Sequence, residues 1–139
     1  FALLFLVYPP GGGALTGAVY SAKGRGTLLG APAARMEARL AAAGYTVKDS
    51  VGEPADHLAV MLDYLGQCLE AEGQQERRQK RQADGVNKET PGEFIRGELC
   101  PWLPALDKRC EKVATASDFY PAVVALARAY CAQLAEALE

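Results

Sequence analysis

The stretch Gly52-Glu53-Pro54-Ala55-Asp56-His57-Leu58-Ala59-Val60-Met61-Leu62 holds the only histidine of the chain, set beside an acid at a helix start. Proline has no backbone donor and a fixed φ, so Pro54 suits the first helical position, where no donor is needed. That places Glu53 at or beside the N-cap and Asp56 in the first turn, near the positive end of the helix dipole. A positive helix end disfavours the imidazolium, so His57 is predicted to be mostly neutral. His57, Leu58, Met61, Leu62, Leu65, Cys68 and Leu69 follow at three- and four-residue spacing, which predicts one buried face on a helix from Pro54 to about Ala71. Two readings fit these residues: a capped amphipathic helix with histidine at the core edge, or a polar recognition point at the mouth of a groove.

The rest of the composition bounds the fold. At 139 residues the chain is long enough for one hydrophobic core. A formal net charge of -2 argues against a dedicated nucleic-acid binder. Alanine and leucine dominate while β-branched residues are scarce, so the expected fold class is all-α. The four cysteines, at 68, 100, 110 and 131, form no C-x-x-C pair, and one histidine is too few to complete a zinc site with them. Cys68 and Cys131 fall on apolar helical faces, where a free thiol acts as a small hydrophobe. Neither a metal nor a cofactor is expected.

Phe1 to Val7 is an apolar run, too short to cross a bilayer and without the flanks of a signal peptide. It fits a buried strand or the end of a buried helix equally well. Seven of the 14 glycines lie between positions 9 and 30, which means loop and turn. A phosphate-cradling loop is disfavoured: neither Gly11-x-Gly13 nor Gly24-x-Gly26 has its third glycine three residues on, and no Gly-Lys-Ser/Thr occurs. Pro32 to Ala43 reads as a helix with Gly44 as its C′ residue. From Glu72 to Thr90 the chain turns polar, and five basic residues against two acidic ones between Glu76 and Lys88 predict a solvated helix tail and a loop. Pro91 opens a helix that Cys100-Pro101-Trp102-Leu103-Pro104 interrupts, because two prolines bend or restart it. Another helix follows from Ala105 to Ala116. Ser117-Asp118 then caps a last one, Phe119 to Leu138, with Phe119, Val123, Leu126, Ala127, Tyr130, Leu134 and Leu138 as its apolar stripe.

Glu53-Pro54-Ala55-Asp56-His57-Leu58 resembles the E-P-x-D-H-[LI] signature of the TorD/DmsD family, cytoplasmic chaperones for molybdenum-containing redox enzymes exported by the twin-arginine route. Further elements resemble the family in the same order. Phe1-x-x-Leu4-Phe5 is similar to its aromatic-x-x-Leu-Phe element, which favours a helix end for the first residues. Ala18-Val19-Tyr20 is similar to its S-V-Y element, with alanine in place of serine. Leu99-x-Pro101-Trp102-Leu103-Pro104 resembles L-x-P-W-[LI]-P, and Phe119-Tyr120 opens a terminal Ala/Leu helix as in the family. The resemblance implies a TorD-like helical bundle. It assigns residues 1–51 to the end of an N-terminal subdomain, a glycine-rich loop, one helix and a hinge, and 52–139 to a C-terminal subdomain. Because the chain begins with Phe1 rather than Met, it is expected to lack some N-terminal helices of that bundle.

By the same resemblance the chain is expected to be a cytoplasmic chaperone. It would bind the twin-arginine signal peptide and apoprotein of a molybdoenzyme, without stable membrane insertion, as a monomer or a domain-swapped homodimer. Phe1, Leu4 and Phe5 would form apolar wall, Tyr20 an edge, and Glu53, Asp56 and His57 the polar contacts, carboxylates being suited to bidentate pairing with arginine. The alternative is a helical protein-protein adaptor that binds no signal peptide. An enzyme built on Asp56 and His57 is disfavoured, since adjacent helix residues point about 100° apart and no Cys or Ser is placed to meet the imidazole.

Overall fold

The structure, a computed structural model, describes residues 16–20, 30–46, 52–79, 89–112 and 118–138. Among them the fold is all-α, as the composition predicts. Its helices are α1 (Gly17–Tyr20), α2 (Ala31–Ala42), α3 (Leu58–Gln79), α4 (Pro91–Phe94), α5 (Leu103–Cys110) and α6 (Phe119–Ala137). A π-helical turn, Ile95–Leu99, prolongs α4.

Local chemistry sets most of the boundaries. Thr90 caps α4 in a reciprocal box: its hydroxyl accepts from the Glu93 amide while the Glu93 carboxylate accepts from the Thr90 amide at 2.8 Å. Pro91 occupies the first turn, where its missing donor costs nothing. α2 ends in a Schellman motif, the Tyr45 amide donating to the Leu40 carbonyl (2.8 Å) and the Gly44 amide to Ala41 (3.0 Å). Gly44 sits at φ 78°, a conformation that glycine adopts without a Cβ penalty. At the Cys100–Trp102 break the chain turns and restarts as α5 at Leu103, with Pro104 in its first turn.

Two expectations are corrected. The central helix begins at Leu58 rather than Pro54, because Pro54 to His57 form a separate turn closed by the His57 amide donating to the Pro54 carbonyl at 3.0 Å. It continues to Gln79, so the helix tail expected of the polar residues after Ala71 is the last part of α3. The stripe foreseen on α6 is met only in part: Leu134 and Leu138 pack against the core, but Phe119, Val123, Leu126 and Tyr130 are exposed, while Val124, Cys131 and Ala135 are buried. That helix is apolar nearly all round, so periodicity cannot select which side packs.

One core gathers these elements. Met36 and Leu40 of α2 join Leu58, Met61, Tyr64 and Leu65 of α3, Phe94, Ile95 and Leu99, Leu103 and Leu106 of α5, and Val124 and Cys131 of α6. Each such apolar side chain contributes about 1.5–3 kcal/mol by leaving water. Phe94 meets Tyr64 edge to face, ring centroids 5.0 Å apart. α4 enters through close backbone approach: a Cβ on Gly92 would stand 2.9 Å from the Leu138 carbonyl oxygen. Arg96 donates to the Ala135 carbonyl at 2.8 Å, placing a cation at the negative end of α6. Among the described residues no helix is long and apolar enough to cross a membrane.

Candidate functional site

The site is a junction between three segments far apart in sequence. The turn before α3 presents Asp56, whose backbone carbonyl accepts from the Gly17 amide at 3.1 Å. Its carboxylate oxygen Oδ2 accepts from the Ala18 amide at 2.7 Å. Thr16 and His57 add an isolated antiparallel bridge. The first amides of α1 are the donors a helix start leaves unsatisfied, and Asp56 caps them from 38 residues away.

The third segment is the Pro101–Trp102 break. The Trp102 indole donates to the Glu98 carbonyl at 2.7 Å, a partner that the widened Ile95–Leu99 turn presents to it. Its ring stacks on Tyr20, centroids 5.8 Å apart and planes 17° from parallel. Gly17 lies against the same ring, with room for no side chain beyond a forced Cβ. Glu98 itself is buried, and its carboxylate takes both Arg35 (3.0 and 3.1 Å) and Arg39 (3.0 Å). Arg39 also holds Glu89, so α2, the residue before the Thr90 cap and the π-helical turn are tied together.

The acid and the imidazole have different surroundings. Asp56 is 1% exposed, and its Oδ1, like the Thr16 hydroxyl oxygen, is buried without a hydrogen-bond partner among the described residues. Burial pushes its carboxyl above the usual carboxylate range, against the Ala18 hydrogen bond and the Arg35 charge. His57 is the N-cap of α3: its Nδ1 accepts from the Ala59 amide at 3.2 Å. A nitrogen that accepts carries no proton, so the neutral ring bears its hydrogen on Nε2, which faces Glu53 Oε2 at 3.7 Å. Burial holds the His57 pKa below its ordinary value, with Glu53 and Asp56 opposing. The expected neutrality therefore has desolvation as its main cause, with the helix end acting through a direct hydrogen bond.

Of the residues singled out from sequence, Glu53, Asp56 and His57 share one turn, Tyr20 ends the short helix whose start Asp56 caps, and Phe1, Leu4 and Phe5 lie outside the described residues. Glu53 is the carboxylate open to solvent, its side chain 37% exposed. Sequence reasoning missed Gly17, Ala18, Glu98 and Arg35. Gly17 stood among loop glycines, Ala18 belongs to the Ala18-Val19-Tyr20 element but acts through its backbone amide, which no side-chain pattern marks, and the Arg35–Glu98 pair bridges 63 residues. A separate apolar groove of about 460 Å³ runs between α3 and α6, lined by Leu62, Leu65, Leu69, Val123, Leu126 and Tyr130 among others. Among the described residues no cluster of His, Cys, Asp and Glu is disposed to hold a metal.

Comparison with known proteins gives the junction a setting. The family described as "Nitrate reductase delta subunit" matches residues 1–108. The chain is similar to the chaperone protein TorD of Vibrio vulnificus, 32% identical over 131 residues that cover 94% of this chain and 59% of that protein. It is also similar to the chaperone protein TorD of Vibrio parahaemolyticus, 35% identical over 106 residues, 76% of this chain and 47% of the relative. The chaperone protein TorD of Photobacterium profundum is 31% identical over 94% of this chain and 58% of its own. The chain thus spans about half to three fifths of the length of the curated relatives it matches. No solved structure is significantly similar to it.

Proposed function

The chain belongs to the nitrate reductase delta subunit family, that of the TorD chaperones, and from that premise we propose that it is a maturation chaperone. In this reading it binds the twin-arginine signal peptide of a molybdenum-cofactor oxidoreductase subunit and holds the apoprotein until its cofactor is inserted. Such a leader is read before export, so the proposed place of action is the cytoplasm. The observation that supports the reading most is the convergence at the junction. The Thr16–Tyr20, Glu53–His57 and Pro101–Trp102 segments, three of the motif-bearing parts of the sequence, are joined into one unit by hydrogen bonds and the Tyr20–Trp102 stack.

Binding would combine apolar contact with one charged pair. By the family resemblance Phe1, Leu4 and Phe5 would supply apolar wall and Tyr20 an edge, and Glu53 with His57 would form the polar end. Glu53 is the solvent-facing carboxylate, and His57 Nε2 lies 3.7 Å from it, which leaves the carboxylate available to an incoming guanidinium. A peptide that is disordered when free loses conformational entropy on binding, which keeps the affinity moderate.

The test is a calorimetric titration with a synthetic twin-arginine leader peptide and with the same peptide carrying Lys-Lys. Loss of bidentate pairing is expected to weaken binding about tenfold. Equal affinity for the two peptides, or none for either, would leave the adaptor reading in its place.

A further inference from the structure

Asp56 is the acid nearest the histidine, yet its surroundings are unlike those of a ligand contact. Its side chain is 1% exposed, and the oxygen Oδ2 already accepts from the Ala18 amide at 2.7 Å. A guanidinium reaching it would have to displace that donor and leave water itself, and both steps are costly. Arg35, the cation whose charge reaches Asp56, is committed to Glu98 through two hydrogen bonds. What the carboxyl does touch is the start of α1, a helix of four residues too short to hold itself together. The same four residues carry Gly17, packed on the Trp102 ring, and Tyr20, stacked on it.

We propose that Asp56 is a positioning residue: its carboxyl caps α1 from the far side of the junction and so fixes Tyr20 on the Trp102 ring. The inference rests on the leader-binding reading for its consequence, though not for its geometry. The cap needs an oxygen acceptor and no charge, whereas a contact to a leader arginine needs the charge. Asparagine keeps the acceptor and loses the charge, so it separates the two roles.

Three variants of the full chain test this: Asp56→Asn, Asp56→Ala and Glu53→Gln, each titrated with the twin-arginine leader peptide. Amide hydrogen exchange is followed by NMR at Ala18 and, as a control, at Met61 and Leu65 in α3. Asp56→Asn is expected to keep Ala18 protection and to bind the peptide within about twofold of the parent. Asp56→Ala is expected to exchange at Ala18 about tenfold faster and to bind about tenfold more weakly, with the α3 amides unchanged. Glu53→Gln should weaken binding while leaving Ala18 protected. An asparagine variant that binds as poorly as Glu53→Gln overturns the proposal, and so does unchanged Ala18 exchange in Asp56→Ala. If the alanine variant does not fold, the comparison of asparagine with Glu53→Gln decides alone. If the parent does not bind the peptide, the leader-binding reading fails, while the exchange rates still decide whether Asp56 caps α1.

Discussion

Gly17 and Trp102 are in contact so close that a Cβ built on the glycine stands 3.3 Å from the indole Nε1 and 3.5 Å from Cε2. The ring cannot retreat freely, because its Nε1 donates to the Glu98 carbonyl at 2.7 Å and Tyr20 covers its face. Gly17→Val is therefore expected to cost about 1–3 kcal/mol through overpacking, and Gly17→Ala less. Urea unfolding followed by the fluorescence of the sole tryptophan measures it, and a native-state emission shift would report the displaced ring.

Glu98 is a buried acceptor shared by two guanidinium groups. Arg35 is half-exposed, so water screens much of its half of the arrangement, and the Arg39 half is the stronger. Glu98→Gln is expected to lower stability by about 1–2 kcal/mol. A double-mutant cycle with Arg39→Met should show a positive coupling larger than the cycle with Arg35→Met.

The two neighbours at the junction respond to pH with opposite signs. The pKa of His57 is lowered from 6.5, so the unfolded chain binds its proton first as pH falls. Stability from this group is present above pH 6.5 and is lost as pH drops toward the folded value. Replacing His57 by Gln should flatten the fall in urea midpoint between neutral and mildly acidic solution. Asp56 has its pKa raised from 3.8, so its contribution is full below that value and is lost as pH rises through the higher folded one. Asp56→Asn is accordingly expected to be at least as stable as the parent at pH 7, with the difference closing in acid. A variant markedly less stable at pH 7 would mean that the ionised carboxylate is the favoured form.

Leu126 and Leu65 lie on opposite sides of the packing decision: 70% exposed on α6 against 2% on α3. Leu126→Gln should change stability by no more than about 0.5 kcal/mol, while Leu65→Ala should cost about 2–5 kcal/mol. Equal losses in chemical denaturation would put the α6 stripe back in the core.

Much of this architecture was legible in the sequence because it depends on neighbours along the chain. Thr90, Pro91 and Glu93 make a cap within four consecutive positions; Gly44 ends α2 by its own conformational freedom; Pro101 ends one helix and Pro104 suits the first turn of the next. The all-α class follows from composition, and the family from short motifs in order. Only the tertiary structure decided where α3 begins, which side of α6 is buried, and that Asp56 turns inward to the amide of Ala18. The start of α3 depends on His57 capping the helix while it bridges Thr16, a partner 41 positions away in the chain. Local rules see hydrogen bonds closed within a turn or two; the facing of an apolar helix and the partner of a buried carboxyl are set by packing between segments, where burial outweighs any single local preference.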